Sequence, residues 1–254
     1  MKQATQIYAI INLTPDSFYE GSRAETLEAV RQAAQRALDE GADVLDLGAY
    51  STRPGFSDVP VEEEYRRLSE GFALLRTEFG SSVKISIDTF RSEIVRRLYD
   101  SFGEFIVNDV QGGEKDTDIL RTVGELSLPY VMMSNHNSIA SITSFFGNQI
   151  PLARDSGISE IMLDPGFGFG KSVDENFAVM RDLEQLRGFG LPLFVGISRK
   201  SMIWRTLKTT PGEALNGTTA LHCAALRRGA AILRVHDVKA ARECIIMHES
   251  VEGL

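Results

Sequence analysis

Asp88, Asn108, Asp164 and Lys200 are the residues of this chain whose types suit the edge of a flat, nitrogen-rich ring. A carboxylate accepts two parallel N–H bonds, an amide offers donor and acceptor together, and an ammonium donates. Read singly, each aspartate is equally a helix cap or half of a structural pair. As a set they point to a ligand. A second set is cationic: Arg53, Lys200, Arg234 and His236. Arginine forks grip phosphate oxygens bidentately and lysine acts as a mobile point charge. Arg234 and His236 alternate about Val235, so a strand projects both from one face. A buried unpaired cation is costly, so an anionic ligand is the expected partner, with Asp46 as the alternative within the protein.

Two loops add to these sets. Asp164-Pro-Gly-Phe-Gly-Phe-Gly-Lys171 is rich in glycine, but Pro165 stands where a P-loop needs its first glycine. The glycine spacing also misses the dinucleotide fingerprint. What survives is a loop passing close to a ligand, with Phe167 and Phe169 offering aromatic surface. In Asn12-Leu-Thr-Pro-Asp-Ser-Phe18, Asn12 and Asp16 are hard oxygen ligands of the kind magnesium accepts beside substrate phosphates, and also ordinary turn residues.

Such residues need strands to present them. Short apolar runs over Tyr8–Asn12, Asp43–Gly48, Lys84–Asp88, Glu104–Asn108, Pro129–Met133, Glu160–Asp164, Pro192–Ser198 and Ala231–Val235 read as eight buried strands. Amphipathic stretches near 25–40, 62–79, 92–101, 117–126, 138–156, 174–187, 213–228 and 238–248 read as helices between and after them. A shorter helical piece lies near 200–208. Gly41, Gly157 and Gly229 stand where a helix ends and the next strand begins. Eight strand–helix units predict an α/β fold, a single (β/α)8 barrel over residues 1–254, with an open doubly wound sheet as the alternative. In a barrel the polar strand tips all lie on the carboxyl face, where reacting groups collect.

Composition bounds the function from outside. The 254 residues fit one large barrel, and 43% hydrophobic with 24% charged residues is ordinary for a globular chain. The net charge of −8 argues against nucleic acid as partner. It leaves room for a small anion, because a cation about 4 Å from a phosphate gains roughly 4 kcal/mol at an effective dielectric near 20. The apolar run at the N-terminus is too short for a signal peptide or a membrane span. Cys223 and Cys244 lack metal-ligand spacing and read as reduced thiols of a cytoplasmic protein. Phe145-Phe146, Met132-Met133 and Trp204 read as packing.

Asn12-Leu-Thr-Pro-Asp-Ser-Phe18, Ser51-Thr-Arg-Pro-Gly55, Ile87-Asp-Thr89, Asn108-Asp109, Asp164-Pro-Gly-Phe-Gly-Phe-Gly-Lys171, Ser198-Arg-Lys-Ser201 and Arg234-Val-His-Asp237 resemble, in order, the successive signatures of the dihydropteroate synthase family. The resemblance implies a transferase of folate synthesis that condenses 6-hydroxymethyl-7,8-dihydropterin diphosphate with p-aminobenzoate. By it, Asp88, Asn108, Asp164 and Lys200 hold the pterin, and Asp88, Asp164 and Lys200 are the catalytic residues. Asn12, Arg53, Arg234 and His236 hold the diphosphate, with Mg2+ at Asn12. Thr52, Pro54, Phe169, Lys200 and Ser201 line the p-aminobenzoate pocket, where sulfonamides also bind. A cytoplasmic homodimer is implied as well. Two positions depart from the family's pattern. Met133-Ser-Asn-His-Asn137 replaces a Met-His-Met-Gln-Gly-like segment and leads almost at once into a helix, and Tyr50 replaces an acidic residue. A corrinoid-dependent methyltransferase using methyltetrahydrofolate and a non-catalytic pterin-binding barrel are the alternatives.

Overall fold

The computed structural model describes residues 4–13, 23–49 and 59–253. Eight strands, β1 (Gln6–Asn12), β2 (Val44–Gly48), β3 (Lys84–Asp88), β4 (Ile106–Asp109), β5 (Tyr130–Met133), β6 (Ile161–Asp164), β7 (Leu193–Val195) and β8 (Ala230–Val235), run parallel in chain order. β8 pairs back onto β1, so the sheet closes and the open-sheet alternative falls away. Nine α-helices surround it among the described residues: α1 (Arg23–Asp39), α2 (Val61–Phe79), α3 (Ser92–Phe102), α4 (Ile119–Glu125), α5 (Ile139–Asp155), α6 (Val173–Asp182), α7 (Ser201–Leu207), α8 (Leu215–Arg227) and α9 (Val238–Glu252).

Alternation along the strands sorts the side chains into two layers. Outward residues such as Ile7, Ile11, Leu45, Leu47, Ile85, Ile87 and Val107 join Leu68, Phe72, Leu75, Ile94 and Leu98 of α2 and α3 in the main core. Each such side chain, fully buried, stabilises the fold by about 1.5–3 kcal/mol. The inward layer is a separate cluster of Tyr8, Val44, Val131, Met162, Phe194 and Ile232. Two residues further along the same inward rows the chemistry changes. Val44 is followed by Asp46, Ile106 by Asn108, Met162 by Asp164 and Ile232 by Arg234. The barrel is therefore packed with apolar side chains through its lower half and polar ones toward its carboxyl mouth.

Two elements depart from the sequence expectation. β7 ends at Val195, not Ser198, because its pairing with β8 slips between Leu193 and Phe194 and the chain then leaves the ladder. The helix expected over 174–187 stops at Asp182 and tightens into a 3₁₀ segment over Leu183–Phe189. α5 carries Pro151 and still runs unbroken to Asp155. The glycine turns stand as expected, with Gly41, Gly157 and Gly229 at φ of 95°, 94° and 95°, a region closed to most side chains.

His222 of α8 is 2% exposed, and its Nε2 has no hydrogen-bond partner among the described residues. Burial pushes its pKa from 6.5 down to about 4, against a smaller upward pull from Asp237. The unfolded chain therefore binds a proton here that the folded chain refuses. Stability contributed by neutral His222 is complete above pH 6.5 and is lost as pH falls toward 4, by roughly 3 kcal/mol in all. Urea unfolding of wild type and His222→Leu at pH 7 and pH 4.5 measures this. The variant is expected to lose distinctly less stability between the two.

Candidate active site

The sheet register gathers the polar tips. Asn12 pairs with Gly48, Gly48 with Asp88 and Asp88 with Asn108, while Met133 pairs with Asp164 further round the barrel. Asp88, Asn108 and Asp164 lie inward at the ends of β3, β4 and β6. Asp109, one residue past Asn108, points outward instead. It accepts hydrogen bonds from the Gln111 and Gly113 amides at 2.7 Å and from the Tyr130 hydroxyl at 2.6 Å, which makes it a structural anchor of the β4 turn.

Arg234 enters this ring from β8. Its Nε donates to Asp46 Oδ2 at 2.6 Å and its Nη2 to Asp88 Oδ2 at 2.9 Å. Asp46 is fully buried and also faces Asn108 Nδ2 at 3.4 Å. Of the two partners expected for Arg234, an anionic ligand or Asp46, the structure shows Asp46, with Asp88 beside it. Burial opposes the Arg234 charge, but Asp46 and Asp88 outweigh it and hold its pKa above the ordinary arginine value. Nη1 makes no hydrogen bond to a described residue.

Asp88 is itself perturbed. Burial drives its pKa up to about 7, Arg234 pulls it back, and the carboxylates of Asp46, Glu64 and Asp109 push it up again. Asp164 is raised by burial and eased by Lys200 and by the Gly166 amide, which donates to its Oδ1 at 2.8 Å. Lys200, just past β7, is lowered to about 7, chiefly by burial and against the pull of Asp164. Its Nζ donates to the Phe167 carbonyl and sits 4.4 Å from the centre of the Phe169 ring. A base and an acid whose ordinary pKa values differ by more than six units meet at nearly the same pH here, a pattern typical of functional sites.

The glycine-rich loop makes this close approach possible. Gly166 has φ +69°, and a Cβ there would lie 2.1 Å from the Ser134 carbonyl oxygen. The stem of Lys200 runs across Gly168, where a Cβ would meet its Cδ at 2.6 Å. One expectation about the loop fails: Phe167 is fully buried in the core and offers no surface to a ligand. Phe169, half-buried, joins Phe90, Val110 and Met133 in a small apolar cluster at the mouth.

His236 stands exposed past the end of β8, with its Nδ1 3.0 Å from Ser198 Oγ. Asn12 is exposed at the tip of β1. Its carboxamide oxygen is a hard donor of the kind magnesium takes together with substrate phosphates. No cluster of three acidic, histidine or cysteine side chains gathers elsewhere among the described residues to hold a metal alone. Ser201 opens α7 immediately after Lys200. Thr52, Arg53 and Pro54, and with them Asp16 and Tyr50, lie outside the described residues. A cavity of about 790 Å³ at the opposite pole, lined by Gln6, Lys84, Glu104 and Glu160 among others, contains none of the motif residues.

Several residues to which the sequence assigned no role support the site. Asn176 of α6 accepts from the Gly168 amide at 2.8 Å and donates to the Lys171 and Ser172 carbonyls, pinning the loop from outside. Lys171 Nζ closes the same loop onto the Gly166 carbonyl at 2.8 Å. Arg199 forks onto Asp237 at 2.8 Å through two nitrogens, and its amide donates to Thr218 Oγ1 at 3.1 Å. The short segment after β5 is well tied down: Asn135 Nδ2 donates to the Val110 carbonyl at 3.1 Å, and Ser138 and Ser141 cap α5 reciprocally.

Comparison with known proteins agrees with this geometry. The family model described as pterin binding enzyme matches residues 8–236. Dihydropteroate synthase of Bacillus subtilis is 35% identical over 246 residues, covering 94% of this chain and 85% of that protein. A crystal structure of dihydropteroate synthase from Clostridium difficile, in the presence of pteroic acid, superposes with a TM-score of 0.92. It is 36% identical, covering 98% of this chain and 97% of that one. The Xanthomonas albilineans enzyme with 4-aminobenzoic acid gives 0.90 at 35% identity, covering 99% and 94%. The chain therefore belongs to the pterin-binding enzyme family, and within it stands with the dihydropteroate synthases.

Proposed function

We propose that this mouth joins 6-hydroxymethyl-7,8-dihydropterin diphosphate to p-aminobenzoate, giving 7,8-dihydropteroate and pyrophosphate. The observation that carries the reading is the meeting of Asp88, Asn108, Asp164 and Lys200 with Arg234 at one rim of the barrel. The carbon–oxygen bond at the pterin methylene breaks, the arylamine nitrogen forms the new bond to that carbon, and the nitrogen gives up a proton. Asp164 and Asn108 accept and donate along the pterin edge, while ionised Asp88 steadies the positive charge developing at the methylene. Arg234, through Nη1, and His236 bind the departing diphosphate together with Arg53. A Mg2+ ion held at Asn12 supplies further charge neutralisation when bound. The arylamine lies between Phe169, Ser201 and the Lys200 stem on one side and Thr52 and Pro54 on the other, where a sulfonamide competes with it. A neutral arylamine is nucleophile enough that the reaction needs little help from a general base. The same reading makes the protein a cytoplasmic homodimer.

The direct test is pyrophosphate release from the pterin diphosphate in Mg2+ buffer, measured with and without p-aminobenzoate. Release dependent on the arylamine is expected. Tight pterin binding by calorimetry with no release would instead indicate a non-catalytic barrel. Methyl transfer from methyltetrahydrofolate to a corrinoid would indicate the methyltransferase alternative.

Two variants separate the halves of the site. Lys200→Ala is expected to lower kcat/KM at least a hundredfold and to weaken both substrates, because this side chain borders both. Thr52→Ala should raise KM for p-aminobenzoate and shift sulfonamide inhibition, leaving KM for the pterin diphosphate within about twofold.

The pH profile follows from the two perturbed groups. Asp88 must be ionised, so activity falls as pH drops through about 7. Lys200 must be protonated, so activity falls again as pH rises through about 7. A narrow bell centred near neutrality is expected for kcat/KM. In Lys200→Arg the alkaline limb should move up by more than two pH units, whatever the loss in absolute rate, because a guanidinium keeps its proton.

A further inference from the structure

Cys223 and Cys244 lie 21 positions apart, on α8 and α9, and the packing of these two helices brings their sulfur atoms to 3.0 Å. Both are free thiols. They differ in access, Cys223 being half-buried and Cys244 3% exposed. Cys244 Sγ also lies 3.8 Å from the Thr219 carbonyl of α8, so it is held in the seam between the helices. Neither thiol touches any residue assigned above to substrate.

We propose that this pair is an oxidative modification site, in which a two-electron oxidant of the hydroperoxide class converts the two thiols into an intramolecular disulfide. Cys223, the accessible partner, attacks the peroxide as its thiolate. Its sulfur becomes a sulfenic acid and one oxygen of the peroxide leaves as water. Cys244 sulfur then displaces the sulfenic oxygen, which leaves as a second water after taking the Cys244 proton. The two thiols lose two electrons and two protons, hydrogen peroxide gains them, and two waters result. The sulfurs need to close by only about 1 Å to reach bonding distance. Burial raises the Cys244 thiol to about 12, so it is a poor first nucleophile toward peroxide and serves as the resolving partner.

The seam matters because its two helices grip the same residue of the site. Thr218, five residues before Cys223, accepts the Arg199 amide proton. Asp237, which precedes α9, takes the Arg199 guanidinium. Arg199 stands between Ser198, which orients His236, and Lys200. A covalent link between α8 and α9 therefore ties together both supports of the segment that carries Lys200.

The test treats purified full-length protein with a small excess of hydrogen peroxide, then blocks remaining thiols and examines intact mass and peptides. The expected product is a monomeric chain lighter by two hydrogens, with Cys223 and Cys244 in one linked peptide. It should melt several degrees higher, return to its starting behaviour with dithiothreitol, and show slower amide exchange at Arg199. Cys223→Ser and Cys244→Ser, each compared with itself before oxidation, should show no linked peptide and no rise in melting temperature. Sulfinic acid on Cys223 with Cys244 still free, disulfides between chains, or both thiols recovered intact would each overturn the proposal.

Discussion

Arg234 is placed inside a barrel, bonded to one carboxylate from β2 and another from β3. An ion of this size taken out of water costs several kcal/mol, returned only when geometry and hydrogen bonding are good. The two short contacts satisfy that condition, and they do so by linking three strands that the chain supplies nearly 200 residues apart. Asp46 is the hidden member, since it sits fully buried beneath the rim and faces both Arg234 and Asn108. Losing it would leave the Arg234 guanidinium held by Asp88 alone. Under the proposed function, the ring-recognising and anion-binding halves of the mouth share one electrostatic hinge.

That hinge explains the unusual acid–base balance. Asp88 has a cation beside it, yet burial and three neighbouring carboxylates carry its pKa up to about 7. Lys200 has Asp164 beside it, yet burial and the charge of Arg234 bring it down to about 7. Moving one proton from Asp88 to Lys200 leaves the net charge of the mouth unchanged. The free site can therefore hold this pair in its neutral form at little cost. A ring presenting N–H donors, with a diphosphate beside it, favours the ionised form of both. Under the proposed function, binding and ionisation become coupled, and the ionisation itself adds no net charge to the barrel.

Much of this was legible in the sequence. Eight apolar runs, each with polar residues at or just past its end, pointed to the barrel, because parallel strands covered on both faces must be apolar until they reach the mouth. The ordered motifs gave Asp88, Asn108, Asp164, Lys200 and Arg234. What stayed hidden depends on contacts distant in the chain. Asp46 stands in the sequence only as an alternative partner for Arg234, 188 positions away, and it is barrel closure that decides for it. Phe167 and Phe169 look alike in sequence, but the turn at Gly166 and Gly168 sends the first into the core and the second to the rim. Asn176 looks like an ordinary helix residue, although its amide fixes the loop before it. Cys223 and Cys244 carry no spacing signal, because only the angle between two helices decides whether their sulfurs meet. The early end of β7 rests on a slip in pairing that no apolar pattern records.

The short segment after β5 shows how the barrel separates support from decoration. The sequence places a departure there, next to the ring-binding half, and the structure has only five residues between β5 and α5. The apolar wall beside that half is nevertheless present, because it is built from strand ends and a braced turn. Phe90 follows β3, Val110 follows β4, Met133 ends β5, and Phe169 is held by the loop that Asn176 and Lys171 pin. Strand-end residues are placed by the sheet register, and register is set by the whole barrel rather than by any one connection. A change confined to this connection therefore leaves the wall in place. A change in the residues between β5 and α5 alters what lies over the wall, whereas a change at Met133 would alter the wall itself.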